Sequence, residues 1–197
     1  GTDPRRLLAG VLVATAFISL WITNTATATM MMPIGVALIA QLAARSGSRL
    51  RHYGMAIMLA IAYGANLGGI GTKIGTAPNG QFAGFLERLG KSVSFVEFLL
   101  VGLPFVVVLL PLVWWMLWRL GRKDELAGDA REVVHRELAA LGAIQRPERI
   151  VAGVFLAAAS LWVVSKPIVD TLSPSFPGVK LGTAHVEGSI AMAAALL

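Results

Sequence analysis

The feature that most restricts what this chain can fold into is a pair of interrupted apolar stretches. The first, FISLWITNTATATMMMPIG (17–35), sets Asn24 among four threonines in the middle of hydrophobic sequence. The second starts at Tyr53, stays apolar to Leu67, and then turns into GANLGGIGTKIGTAPNG (64–80). A helix needs roughly 20 apolar residues to cross about 30 Å of hydrocarbon. Leu7 to Ile22 supplies about sixteen and Met30 to Ala44 about fifteen, so each is short of a crossing. Two half-length arms around a polar insert, Thr23 to Thr29, predict a re-entrant helical hairpin over residues 1–52. Arg5 and Arg6 precede the first arm, and Arg45, Arg49 and Arg51 follow the second. Basic flanks of this kind put both ends on the cytoplasmic side.

The surrounding medium follows from composition. Hydrophobic residues make up 56% of the chain and charged residues 14%, mean hydropathy is +0.71, and the charge is confined to junctions between apolar runs. That is the balance of a membrane protein in contact with lipid. The net charge of +6 and pI near 10.3 do not point to nucleic acid, because the basic residues cluster at segment ends, as cytoplasmic loops do. With no cysteine there is no disulfide, thiolate nucleophile or cysteine metal site. The opening GTDPRRLLAG reads as the interior of a longer protein rather than a natural start.

The rest of the chain divides along the same lines. Residues 53–97 read as a transmembrane helix broken by a glycine-rich loop, with a weaker apolar stretch from Phe82 to Leu89. Residues 98–118 read as a full span carrying Pro104 and Pro111 as kinks. Trp114, Trp115 and Trp118 should sit at the interface beside Arg119, Arg122 and Lys123. In the linker 119–149, Glu132 and Arg136 are spaced i,i+4 while Val134, Leu138 and Leu141 share a face, the pattern of a surface helix. Residues 150–172 read as another span, and 173–197 as an extracytoplasmic loop followed by the start of a further helix.

Opening backbone at membrane depth costs several kcal/mol per unpaired group, so breaks survive only inside protein or beside a water-filled cavity. Two breaks in one short chain share a purpose if freed carbonyls and helix C-termini hold a cation while helix N-termini face an anion. Ser19, Thr23, Asn24 and Thr25 offer oxygens to a hard cation and N–H or O–H protons to a carboxylate or sulfate. Gly68, Gly69, Gly71 and Gly75 let backbone approach an ion closely. Taken alone, the threonines could back-bond to their own helix and the glycines could be a packing surface. Both at half-membrane lengths with basic flanks favour the ion site. GGIGTKIG has GxGxxxG spacing and no preceding strand, so it is not a dinucleotide or phosphate loop. His52, His135 and His185 lack metal-binding spacing, and no serine nucleophile motif is present, so an enzyme is not expected. Met30 to Met32 read as lipid or core contacts.

SLWITNTATATMMMPIG resembles the Ser-Asn-Thr hairpin motif of the divalent anion:sodium symporter (DASS) family. ANLGGIGTKIGTAPN resembles its second motif, GGxGTxxGTPPN, and the order, the spacing and the following VGLPFVVVLLPLVW also agree. The resemblance implies an all-α membrane protein, one half of an inverted-repeat transporter, working as a homodimer in the plasma (inner) membrane. It implies Na⁺-coupled uptake of di- or tricarboxylates, or sulfate, by an elevator motion. It also implies that Ser19, Thr23, Asn24 and the backbone at Gly75 hold Na⁺, and that Asn24, Thr25 and Thr76 touch the substrate. Thr23 stands where serine is usual, Ala77 where the first proline of GTPPN is usual, and Lys73 where an apolar residue is common. Lys73 could pair with a substrate carboxylate or replace a sodium ion, which would favour sodium-independent exchange. Equally, it could snorkel to water. A sensor or structural subunit that kept the fold and lost transport is a further alternative, as is a superfamily relative that moves arsenite or exchanges Na⁺ for H⁺.

Overall fold

The computed structural model describes residues 3–124, 142–172 and 182–196. Among these the secondary structure is entirely helical: α1 (Pro4–Ser19), α2 (Asn24–Ser46), α3 (Arg51–Ile70), α4 (Ala77–Arg88), α5 (Phe95–Gly121), α6 (Arg146–Val163), α7 (Ser165–Leu172) and α8 (Thr183–Ala195). Three of them, α2, α3 and α5, are long and apolar enough to cross a membrane.

Local chemistry explains the boundaries that matter. The Asp3 carboxylate accepts the Arg5 N–H at 3.0 Å and Pro4 opens α1, two standard start signals. The break between α1 and α2 is only Leu20–Thr23, narrower than the polar insert expected from sequence. The Thr23 side chain takes the Ala26 N–H at 3.4 Å, so the helix begins at Asn24 and the remaining threonines lie inside it. Back-bonding of the Thr29 hydroxyl to the Thr25 carbonyl at 2.8 Å helps them fit there. As a result α2 has 23 residues, span length rather than half-length. It stops at Gly47, whose φ of +62° suits the left-handed helix cap.

At the second break α3 ends at Ile70 and α4 starts at Ala77, leaving Gly71–Thr76 non-helical. The stretch expected as one span over 150–172 is two helices, α6 and α7, bent by 60°. The surface helix proposed around Glu132 and Arg136, and the SPSFPG turn, lie outside the described residues.

The chain forms two compact units, Gly1–Asn79 with Val101–Gly142, and Gly80–Leu100 with Ala143–Leu197. In the first, α1 runs parallel to α3: the Tyr53 hydroxyl donates to the Pro4 carbonyl at 2.8 Å near the start of both helices, and Gly64 and Gly68 abut Leu12 and Ala16 farther on. α2 runs back along α3, with Gly69 facing Asn24, Gly35 facing Ile61 and Gly54 facing Ile39. α1 and α2 are therefore the arms of a helical hairpin whose tip lies at the C-terminal end of α3. Leu8, Leu12, Tyr53, Ala56, Ile57 and Leu117 form the core of this unit.

Its outer surface is apolar. Val108 on α5 is 69% exposed and Met30 on α2 is 60% exposed, whereas Met31 between two exposed methionines is buried. Exposed side chains of this kind are expected where lipid is the solvent. At the far end of α5 the Trp114 Nε1–H donates to the Arg5 carbonyl at 3.0 Å. The Arg119 guanidinium lies 4.0 Å from the Trp115 ring centroid, the aromatic and basic belt expected there.

The residue after that belt closes the unit. Leu50 offers α3 no side-chain cap, and Asp124 supplies one from 71 positions away. Its carboxylate accepts the His52 N–H at 2.7 Å and the Tyr53 N–H at 2.9 Å, and lies 2.8 Å from His52 Nδ1. Burial pushes the Asp124 carboxyl up, but these N–H groups and the His52 ring outweigh it and hold the group below its ordinary value. Its contribution is thus fully present above the ordinary carboxylate pKa of about 3.9 and disappears as pH falls through the lower folded value. Asp124→Ala should cost about 1 kcal/mol at neutral pH. In thermal unfolding of the purified protein, the gap from the parent should close under strong acid.

In the second unit the Phe95 and Trp162 rings stack with centroids 6.1 Å apart, and Lys166 Nζ meets Glu97 at 2.5 Å. At the bend between α6 and α7 the buried Ser165 hydroxyl donates to the buried Glu187 carboxylate at 3.1 Å.

Candidate ion and anion site

The C-termini of α1 and α3 and the N-terminus of α2 converge where the hairpin tip meets the second break. Two helix C-termini bring partial negative charge and a helix N-terminus brings partial positive charge. The convergence depends on missing side chains. A Cβ on Gly68 would lie 2.1 Å from the Ala16 carbonyl oxygen, and one on Gly75 would lie 2.7 Å from the Gly69 oxygen and 2.8 Å from the Ser19 oxygen. On Gly69 it would lie 2.1 Å from Asn24 Oδ1.

Polar side chains then lock the break to the tip. The buried Thr72 hydroxyl donates to the Leu20 carbonyl and accepts the Gly75 N–H at 3.0 Å. Asn79 donates through Nδ2 to the carbonyls of Gly69 and Thr72, both at 2.8 Å, satisfying a last-turn carbonyl of α3 that has no helical partner.

At the centre is Asn24. The fully buried Ser19 hydroxyl donates to the Ala65 carbonyl at 2.7 Å and lies 3.0 Å from Asn24 Oδ1. In this orientation Oδ1 faces the carbonyl oxygens of Gly75 and Ala65, each at 3.1 Å, while Nδ2 donates to Asn66 Oδ1 at 3.2 Å. Turned through 180°, the same amide donates from Nδ2 to Gly75 O, Ala65 O and Ser19 Oγ instead. The inward-facing atom of the Asn24 amide therefore has Ser19 Oγ and the Ala65 and Gly75 carbonyl oxygens within 3.1 Å, and with its NH₂ turned toward them the amide ties α1, α3 and the break together. Hydroxyl, carbonyl and amide oxygens are the donor types a hard cation takes.

The structure brings Ser19, Asn24 and Gly75 together. Thr23 serves as the cap of α2 and is exposed. Thr25 is exposed and Thr76 half-buried, and neither hydroxyl is hydrogen-bonded within the described residues, so both remain available to a ligand. Lys73 lies in the break itself and is only 6% exposed. The Ala65 carbonyl was not foreseeable, since every residue carries one. Asn66, Thr72 and Asn79 stood in the quoted motif without an assigned role. Thr27, one turn along α2 from Asn24, is fully buried and its hydroxyl has no hydrogen-bond partner among the described residues. An unpaired buried hydroxyl is a liability. Thr27→Val should therefore raise thermal stability, by about 1 kcal/mol, and a loss of stability would show that the hydroxyl has a partner.

Three helices long and apolar enough to cross a membrane, with lipid-type exposed side chains, make this an integral membrane protein. The citrate transporter (CitMHS) family matches residues 1–196, and the chain belongs to it, in keeping with the divalent anion:sodium symporter resemblance. A sodium-dependent dicarboxylate transporter, SdcS, of Staphylococcus saprophyticus is 33% identical over 179 residues, covering 83% of this chain and 33% of that protein. SdcS of Staphylococcus aureus is 32% identical over 174 residues, with the same coverage. The chain spans about a third of the length of these curated relatives.

Proposed function

We propose that this chain supplies one half of the binding site of a sodium-coupled transporter of small anions, di- or tricarboxylates or sulfate. The observation that carries this reading is the gathering of the Ser19 hydroxyl and the Ala65 and Gly75 carbonyl oxygens around the Asn24 amide. One sodium ion there, a cargo ion rather than a resident cofactor, would neutralise the gathered oxygens. The N-terminus of α2, with Thr25 and Thr76 beside it, would then receive the anion. The α1–α2 hairpin is re-entrant in this account, and a second, inverted half completes the site within each protomer of a homodimer embedded in lipid. The unit carrying the site moves across the membrane as an elevator. Coupling to sodium has an energetic reason: bringing a dianion in against 100 mV costs about 4.6 kcal/mol, at roughly 2.3 kcal/mol per charge. Three or more sodium ions per dianion reverse the sign.

The test is uptake of labelled succinate by the full-length protein in proteoliposomes, with an inward sodium gradient and with choline in its place. Uptake that collapses in choline supports the reading, and uptake indifferent to sodium rejects it. Burial of Lys73 in the break favours one second reading, sodium-independent exchange with the ammonium standing in for a cation. In that case Lys73→Leu should abolish uptake in choline, whereas a sodium symporter would retain sodium-driven uptake.

A further inference from the structure

Where α1 starts and α5 finishes, the first unit carries two features that the ion site does not use. One is a groove of about 260 Å³ between these helices, lined by Ala9, Leu12 and Val13 on α1 and by Leu110, Pro111 and Trp114 on α5. α5 is held against α3 at both ends, which lets it stand off α1 between them. A Cβ on Gly102 would lie 2.6 Å from the Ile70 oxygen, and one on Gly121 3.2 Å from the Ala56 Cβ. The lining side chains are apolar, and the Trp114 indole N–H is already given to the Arg5 carbonyl at 3.0 Å. A small polar ligand would find nothing to bond to there.

The other feature is a set of cations among aromatic rings at the mouth of that groove. Arg5 and Arg6 precede Ala9 by one helical turn, so they continue the face of α1 that lines it. On α5, Trp118 follows Trp114 by one turn and Arg122 follows by another. The Arg5 guanidinium lies 4.9 Å from the Trp118 ring centroid. Two carboxylates are near, and both are engaged at helix starts. Asp3 accepts the Arg5 N–H and approaches Arg5 Nε at 3.9 Å, and Asp124 caps α3. Arg5, Arg6, Arg119, Arg122 and Lys123 outnumber them, so this end is net positive.

An apolar helix in the groove would make no use of the cations, and a soluble anion would make no use of the groove. A molecule with a negative head and an apolar tail uses both. We propose that an anionic phospholipid binds here, with its phosphate against Arg5 and Arg6 and one acyl chain between α1 and α5. Charge complementarity favours that occupant, since basic pockets between helices at a membrane surface take such headgroups and guanidinium forks match phosphate oxygens. Continuity favours it too: Val13 in the wall of the groove and Leu112 beside it are exposed, part of the surface that faces lipid. The bound lipid ties α5 to the first arm of the hairpin and steadies the unit. This inference rests on the membrane setting and stands apart from the ion site.

Full-length protein in a neutral detergent is titrated with dioleoyl phosphatidylglycerol, with phosphatidylcholine of the same chains, and with glycerol 1-phosphate, and the unfolding temperature is read at each concentration. Phosphatidylglycerol is expected to raise it saturably, at about tenfold lower concentration than phosphatidylcholine, and glycerol 1-phosphate to leave it unchanged. Arg5→Gln and Arg6→Gln should each raise the half-saturating phosphatidylglycerol concentration about fivefold, equivalent to about 1 kcal/mol. Arg49→Gln, in the link between α2 and α3, is the control and should leave it within about twofold. Val13→Phe adds bulk at an exposed wall position, keeps every charge, and should weaken binding comparably to the arginine variants. Each variant is referred to its own lipid-free unfolding temperature, which separates lost binding from lost folding. Equal responses to the two lipids, as when another part of the protein fills the groove, would overturn the site. So would a shift with glycerol 1-phosphate, which would make it a site for phosphate alone. Equal effects of Arg5→Gln and Arg49→Gln would reduce it to diffuse surface charge, and an unaltered response in Val13→Phe would place the chain elsewhere; either result also overturns the proposal.

Discussion

Gly68→Ala is expected to be among the most damaging single substitutions in the hairpin unit. The added Cβ would lie 2.1 Å from the Ala16 oxygen and 2.8 Å from its C and Cα atoms, all backbone of the opposing helix. A rotamer change cannot relieve that contact. The hairpin must lift away from α3, and the gathering of oxygens at Asn24, which depends on both, comes apart with it. Overpacking commonly costs 1–3 kcal/mol, and with backbone on both sides about 3 kcal/mol or more is expected here. Gly10→Ala supplies the control, since nothing lies within 4 Å of a Cβ at that position of α1. There alanine should be neutral or stabilising by several tenths of a kcal/mol. Thermal unfolding of the purified variants reads both. Similar behaviour of the two would show that α1 and α3 do not meet as described.

The second large effect falls on transport rather than stability. Asn24→Leu removes the oxygen offered to the cation and the NH₂ offered to the anion or to Asn66. It leaves Ala65 O and Gly75 O facing a side chain that can neither donate nor coordinate. Hydrogen bonds and ion contacts of this type are worth about 1.5–3 kcal/mol each. Sodium-driven uptake should therefore fall by roughly a hundredfold, equivalent to about 2.8 kcal/mol. Ser19→Ala, which removes one of the gathered oxygens and the bond to Ala65, should fall about tenfold, or about 1.4 kcal/mol. Protein yield and unfolding temperature measured alongside separate lost coordination from lost folding.

The positions of the helices were legible because lipid imposes length and charge rules on sequence. The apolar runs beginning near Leu7, Tyr53 and Phe98 became α1, α3 and α5, each shifted by a few residues at its ends. Less legible was α2, whose first turns are built from polar residues. Thr23 capping the helix and Thr29 bonding back to Thr25 turn a presumed loop into helix, and composition alone does not reveal those bonds. The bend at Val164 does carry a signal, Pro167, which has no N–H to offer the Val163 carbonyl four residues back, and the reading of 150–172 as one span passed over it.

At the site, Ser19, Asn24 and Gly75 were readable as side chains or glycines of unusual placement. The Ala65 carbonyl was not, because any residue would provide it, and only the docking of the hairpin on α3 selects which carbonyl it is. The Asn66 partnership also belongs to tertiary structure, since 42 positions separate the two amides. Asp124 was hidden for the same reason, 71 positions from the Tyr53 N–H it caps.

The most direct measurement is a pair of density maps of the full-length protein, one in sodium chloride and one in choline chloride, at a resolution that shows bound ions. The account predicts a peak in sodium alone, ringed by Ser19 Oγ, Asn24 Oδ1 and the carbonyl oxygens of Ala65 and Gly75. Maps with no peak there in sodium, or with the ion held elsewhere while these four oxygens keep the same contacts in both salts, would contradict it.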